Sequence, residues 1–173
     1  GKVTSLANLA IASLSSTMTV FSGQNLGAGN YRRLCRSAWL IPLSAGAITL
    51  SAGILVTIFC NPLLALFTHD TAVLAFATRY IHIVLPFTWM YAIMNVIMCF
   101  ANGIGEIKYP TIVNLFILWG VRIPVAYLLS RLGYGGYAMA SVPLSFLAGM
   151  ILMLFYFRTK RWAKLCALAK NEP

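Results

Sequence analysis

The chain has 173 residues, of which 60% are hydrophobic and only 9% charged, where soluble domains carry about 25% charged residues. A soluble fold of this length cannot hide that much apolar surface, so lipid must be most of its solvent. The net charge of +10 would point to nucleic acid on a soluble surface, but here the charges lie between long apolar runs, where they meet lipid headgroups. Nucleic acid is therefore not an expected partner, and membrane lipid is.

Charges mark the elements. No Asp, Glu, Lys or Arg occurs from Val3 to Tyr31, from Ser37 to Thr68, from Tyr80 to Gly105, or from Leu132 to Phe157. Each gap exceeds the ~20 helical residues that cross a hydrocarbon core. A further apolar stretch, Tyr109 to Ser130, is interrupted only by Arg122. The runs lack period-2 alternation and are too long for barrel strands. The expected fold is all-α: a polytopic transmembrane helix bundle of about five spans, near residues 3–21, 38–60, 80–101, 109–130 and 134–157. Residues 1–157 form the bundle and 158–173 a basic tail. The chain starts at Gly1, and its hydroxyl-rich opening run with a lone Lys2 makes a poor signal peptide, so further sequence upstream is expected. Asn61–Asp70, apolar but too short to cross, is expected to lie along the membrane surface.

Five spans put the first and third loops and the tail on one side of the membrane. That side holds Arg32, Arg33, Arg36, Lys108, Arg158, Lys160, Arg161, Lys164 and Lys170, against Lys2, Arg79 and Arg131 on the other. Positive residues favour the cytoplasm, so the C-terminus is expected inside, in a multi-pass protein of the cell membrane. Trp39, Tyr80, Tyr109, Tyr134, Tyr156 and Trp162 sit at expected span ends, where amphipathic rings prefer the interface. Small residues at every fourth position, Ala45–Thr49–Gly53 and Ser141–Ser145–Gly149, predict close helix packing.

Little in the chain suits catalysis. Asp70, Glu106 and Glu172 are the only acids, none inside a span, and His69 and His82 lack a Cys or acid at ligand spacing. The protein is not expected to be an enzyme, and no metal site or bound cofactor is expected. Cys35, Cys60, Cys99 and Cys166 have no paired spacing and read as small apolar fillers. Gly23, Gln24, Asn25 and Gly27 follow no strand, so they read not as a phosphate-binding loop but as a helix end with glycines at positive φ in a tight turn, followed by basic anchors Arg32 and Arg33. Arg122 is the anomaly, because a guanidinium within a span costs about 2.5–3.5 kcal/mol on insertion scales. It lines a pathway, bonds a neighbouring helix, or snorkels outward. Pro124 and Pro86 remove the N–H groups that Gly120 and His82 carbonyls need, and so predict bends. The third span mixes His82, Trp89, Tyr91 and Asn95, polar and aromatic groups suited to amphipathic cations. Asn95 and Asn114 are the leading pathway candidates, since a buried amide needs a protein partner or water; ordinary interhelical packing is the competing reading for each residue.

The run Gly23-Gln24-Asn25-Leu26-Gly27-Ala28-Gly29-Asn30-Tyr31-Arg32-Arg33 after a Ser/Thr-rich helix resembles the signature of multidrug and toxic compound extrusion (MATE) transporters. The likeness continues through Pro62–Thr68, Tyr80-Ile81-His82 before Pro86-Phe87, Gly103-Ile104-Gly105, Trp119–Pro124 and Lys160-Arg161-Trp162. The resemblance implies a twelve-helix, two-lobe antiporter, of which this chain would be the last five helices of the second lobe. It also implies export of amphipathic organic cations in exchange for Na⁺ or H⁺, together with a missing N-terminal lobe. Several branches of the family carry coupling carboxylates within second-lobe helices. The last three spans here contain none, which places the expected coupling site upstream. A lipid or polysaccharide flippase of the wider superfamily and a non-transporting membrane scaffold are the alternatives; the Pro-bent, Asn-bearing helices and Arg122 favour transport over scaffold.

Overall fold

The computed structural model describes residues 2–60, 71–131 and 139–159, with positions 162, 164, 167 and 168 beyond them; of residues 2–8, 10 and 71–73 it describes the backbone alone. The expected surface segment Asn61–Asp70 and the expected start of the fifth span at Tyr134 lie outside the described residues.

Every described element is helical. Helix α1 is Lys2–Gly27, α2 is Tyr31–Ile58 and α3 is Thr71–Val84. A 3-10 turn, Leu85–Phe87, joins α3 to α4, Thr88–Gly103. Helix α5, Lys108–Leu115, runs through a π-helical segment, Phe116–Arg122, into α6, Ile123–Arg131. Helix α7, Ser141–Phe155, ends in a 3-10 turn, Tyr156–Arg158. Four continuous helical stretches are long and apolar enough to cross a membrane: Tyr31–Ile58, Leu74–Gly103, Lys108–Arg131 and Ser141–Arg158. Helix α1, at 26 residues, is about 39 Å long at 1.5 Å per residue and contains the expected first span. The fold is the expected all-α bundle.

One boundary differs in a way that affects the surface. Helix α2 begins at Tyr31, not near Ala38, so Arg32, Arg33 and Arg36 occupy its first two turns and not a loop. Charge gaps mark the hydrocarbon core, whereas arginine is a good helix former and lets the helix continue into the headgroup layer.

The glycine motif is the helix end it was read as, but more of it is helical and fewer of its glycines take positive φ than the sequence suggests. Gly23, Gln24 and Asn25 are helical, and Gly27 ends α1. Of these glycines and the next, only Gly29 has a left-handed backbone, with φ 75°. The Gly29 amide donates to the Leu26 carbonyl at 3.2 Å and the Asn30 amide to Asn25 at 2.9 Å, the paired bonds of a Schellman ending with Gly29 at its left-handed position. Helix α4 ends the same way. Gly105 has φ 80°, its amide donates to Asn102 at 3.0 Å, and the Glu106 amide donates to Ala101 at 2.8 Å.

The two endings lie against each other. A Cβ on Gly103 would collide with the Thr19 carbonyl and the Ser22 hydroxyl of α1, and one on Gly23 would come within 3.3 Å of the Gly103 carbonyl. Helix α4 is the central element, packed against α1, α2 and α7. Its buried residues Val96, Phe100 and Ala101 join Met18 of α1 and Leu34 and Ala38 of α2 in one core, which also takes in Tyr156 and Trp162. Met94, Ile97 and Met98 join Val113, Ile117 and Met153 in a second.

Both small-residue stripes are buried. A Cβ on Gly53 would stand 3.1 Å from the Leu85 carbonyl, and one on Gly149 would strike the Met94 sulfur and Ile117. The hydroxyls inside these contacts bond their own helices, Thr49 to Ala45 at 2.6 Å and Ser145 to Val142 at 2.6 Å, which lets them sit in an apolar contact without an unmet donor.

Hydrogen bonding departs from the regular α pattern near both prolines, by different routes. Pro86 breaks the third span into α3 and α4; the Thr88 amide turns to Leu85, and the Thr88 hydroxyl, 3.3 Å from the Val84 carbonyl, donates to it. Ahead of Pro124 the helix widens into π geometry, where the Ile123 amide donates to Leu118, five residues back. That is how a helix absorbs a lost i→i−4 bond without a sharp break.

Candidate functional site: a polar ladder on the central helix

Tyr91, Asn95 and Cys99 stand at i, i+4 and i+8 on α4, so they share one face. The Asn95 amide nitrogen donates to the Tyr91 hydroxyl at 3.2 Å, and the Cys99 thiol approaches the Asn95 amide oxygen at 3.9 Å. Helices flank this ladder on both sides. The Tyr91 ring meets Phe146 of α7 with centroids 5.0 Å apart and planes tilted by 41°. On the other side, the Thr19 hydroxyl of α1 donates to the Cys99 backbone carbonyl at 3.2 Å.

One turn before Thr19, Ser15 is 4% exposed, and its hydroxyl has no hydrogen-bond partner among the described residues. Ser15, Thr19 and Ser22 thus line the face of α1 that meets α4. The seam has hydrogen-bonding capacity left over at Ser15, in a place where an unmet donor costs about 1–3 kcal/mol.

The other sequence candidates do not converge on the ladder. Trp89 is half-buried on α4, and its backbone carbonyl looks toward Gly46 of α2. His82 is exposed on α3, with its Nδ1 2.9 Å from the Thr78 carbonyl. Asn114 and Arg122 are exposed on the helix through α5 and α6, and neither has a hydrogen bond or ion pair among the described residues. That helix packs mainly on α7 and is the least covered of the four apolar ones, whereas Leu74–Gly103 is the most covered. Gly23 and Asn25 belong to helix packing: Asn25 is buried, its side chain donating to the Phe21 carbonyl at 2.7 Å, while Gln24, Gly27, Arg32 and Arg33 are exposed.

Three contributors were not singled out from sequence. Cys99, read as an apolar filler, is the lower rung of the ladder. Ser15 and Thr19 belong to a hydroxyl-rich helix whose spacing of 15, 19 and 22 carried the signal of a single polar face.

The central helix, interrupted by a 3-10 turn at Pro86, carries a partly buried amide ladder, and comparison with known proteins gives the bundle a family. The MatE family model matches residues 2–128. The chain belongs to the MatE family. It is 27% identical over 165 residues to a probable multidrug resistance protein, YoeA, of Bacillus subtilis, covering 91% of this chain and 34% of that protein. It is 24% identical over 177 residues to a probable multidrug resistance protein, NorM, of Thermotoga maritima, covering 98% of this chain and 37% of that one. An uncharacterized B. subtilis transporter, YisQ, is 28% identical over 138 residues, covering 76% and 29%. This MATE chain therefore spans about a third of the length of the curated relatives it matches. No solved structure matches it.

Proposed function

We propose that the chain is the C-terminal portion of a secondary transporter that exports amphipathic organic cations from the cell, with Tyr91 and Asn95 of α4 on the pathway. The observation that carries this reading is the Tyr91–Asn95–Cys99 ladder, set on a helix broken at Pro86, in a member of a family whose named relatives are probable multidrug resistance proteins. The amide and phenol offer oriented dipoles, and the Tyr91 ring offers a π face to a cation. Apolar helices around them favour a substrate that is part hydrocarbon.

The exchange is proposed to be antiport with Na⁺ or H⁺. None of the chain's three acids falls within the four apolar spans, so the coupling carboxylate is assigned to a part of the transporter outside these residues. The same reasoning gives the chain two further partners, the remaining helices of the transporter and the lipid of the plasma membrane, with the C-terminus on the cytoplasmic side. Transport by this chain alone is not expected, because it supplies only about a third of its relatives' length.

Dye efflux tests the reading. Cells carrying the full-length transporter should expel ethidium faster when an inward Na⁺ or H⁺ gradient is imposed, and Asn95→Ala should lower that rate about tenfold at unchanged membrane abundance, the scale of one lost polar contact of about 1.4 kcal/mol. Vesicles holding this chain alone should show no gradient-driven dye movement. Efflux that is insensitive to both gradients and to Asn95→Ala would remove the proposal.

A further inference from the structure

The hydroxyls whose side chains are described on α1 follow one rule with one exception. Ser13 donates to the Leu9 carbonyl, Ser16 and Thr17 to that of Ser13, and Ser22 to that of Thr19, while the Thr19 hydroxyl has both the Ser15 and the Cys99 carbonyls in reach. Bonding back to its own helix is how a serine or threonine meets its donor in an apolar place. Ser15 does not do so. Its side chain is 4% exposed, and its hydroxyl has no partner among the described residues.

The packing shows what Ser15 stands against. Helices α1 and α4 run parallel and in step: Thr19 bonds Cys99, 80 positions on, and Gly23 meets Gly103 at the same offset. One turn the other way, that offset sets Ser15 level with Asn95. Asn95, Cys99 and Gly103 share one face of α4, as Ser15, Thr19 and Ser22 share the facing side of α1. Asn95 is half-buried, and its amide has a second N–H and a second lone pair beyond its contacts with Tyr91 and Cys99. The two side chains therefore stand level across the seam with capacity to spare and no hydrogen bond between them.

We propose that Ser15 is a specificity-determining residue for the proposed transport, its hydroxyl oxygen accepting a hydrogen bond from an N–H of a protonated amine while the Asn95 amide oxygen accepts another from across the seam. The proposal rests on Asn95 lying on the pathway, and it narrows the substrate from organic cations in general to those whose cationic nitrogen bears hydrogen. A quaternary cation carries the same charge but donates nothing, so Ser15 adds no hold on it. A hydroxyl bonded to its own helix would have to break that bond to meet the amine; Ser15 has none to break, and is ready for the ligand in that sense.

Dansylcadaverine fluorescence with the purified full-length transporter in neutral detergent tests this, beside the trimethylammonium analogue, which keeps the charge and the fluorophore but has no N–H on the cationic nitrogen. Ser15→Ala should weaken dansylcadaverine binding about tenfold, the scale of one hydrogen bond from a charged donor, and leave the analogue unchanged. Ser15→Cys, close in volume and a much weaker acceptor, should behave as Ser15→Ala does. Ser16→Ala, which removes an exposed hydroxyl bonded to the Ser13 carbonyl, should change neither dye. Asn95→Ala should weaken dansylcadaverine as well. Both dyes are read on each sample, so a loss of folded protein lowers both and does not imitate the effect. The proposal is overturned if Ser15→Ala and Ser15→Cys weaken both dyes alike, or neither. If Asn95→Ala then still weakens dansylcadaverine, the pathway reading stands without Ser15; if Asn95→Ala also has no effect, both fall.

Discussion

Replacing Gly103 by alanine puts a methyl group where α1 and α4 touch. The Cβ would collide with the Ser22 hydroxyl, which can rotate, and with the Thr19 carbonyl, which belongs to the backbone and cannot. The helices must separate, at a cost of about 1–3 kcal/mol for overpacking a close contact. Separation also stretches the Thr19–Cys99 hydrogen bond of 3.2 Å, worth about 0.6 kcal/mol between membrane helices. Against this, alanine is up to about 1 kcal/mol the better helix former, and less at a helix end. The net expectation is a loss of about 1–2.5 kcal/mol. With a shift of about 2–4 °C per kcal/mol for a chain of this size, thermal unfolding in detergent micelles followed by circular dichroism should show Tm lowered by roughly 2–10 °C. Gly27→Ala is the control, because Gly27 holds the equivalent place at the end of α1 and a Cβ there meets nothing within 4 Å; its Tm should stay level or rise. Adding Ser22→Ala to Gly103→Ala should restore part of the loss and not all of it, since the Thr19 carbonyl remains. If Gly103→Ala and Gly27→Ala melt together, the backbone contact between α1 and α4 is not what holds that end of the bundle.

Ser15→Ala deletes a buried hydroxyl with no partner among the described residues and should raise stability by about 1 kcal/mol in the same melt; a loss of that size would mean that a bound water or ligand meets the hydroxyl. Gly149→Val drives a branched side chain into the Met94 sulfur and Ile117 and should loosen the helix through α5 and α6 from α7, read as a lower Tm in the same melt while the far-UV spectrum stays helical. Arg122 is exposed and stands apart from the ladder, so Arg122→Gln in the full-length transporter should lower dye efflux no more than it lowers membrane abundance; a larger loss of efflux than of abundance would put Arg122 on a pathway surface of its own.

The spans were legible because a charge inside hydrocarbon is costly, so the gaps between charges map the membrane core. Helix ends were not, because nothing forbids arginine from being helical in the headgroup layer; Arg32, Arg33 and Arg36 look like a loop in a hydropathy reading and lie on α2 in the fold. The two prolines were legible as lost hydrogen bonds. Whether the helix answers with a 3-10 break, as at Pro86, or a π expansion, as before Pro124, is set by which neighbours take up the freed groups, and those come from tertiary contact. At the candidate site, Tyr91 and Asn95 could be paired from their spacing alone. Cys99 could not, since a thiol in an apolar run reads equally well as filler, and the roles of Ser15 and Thr19 follow from which face of α1 meets α4. That Asn114 and Arg122 lie on a different span from the ladder was legible; that they stand exposed on it, apart from the ladder, follows from how that helix packs on α7 and not from any linear pattern.

The twin endings of α1 and α4 have a mechanical meaning. Each satisfies its last carbonyls internally, and Gly23 and Gly103 let the two backbones touch, so neither helix can slide past the other without breaking contacts that no rotamer change can absorb. The joint above them, Leu85–Phe87, has already given up regular hydrogen bonding. Any flexing of this bundle therefore concentrates at that joint, and α1 travels with the segment of the interrupted helix that follows it as one stiff lever.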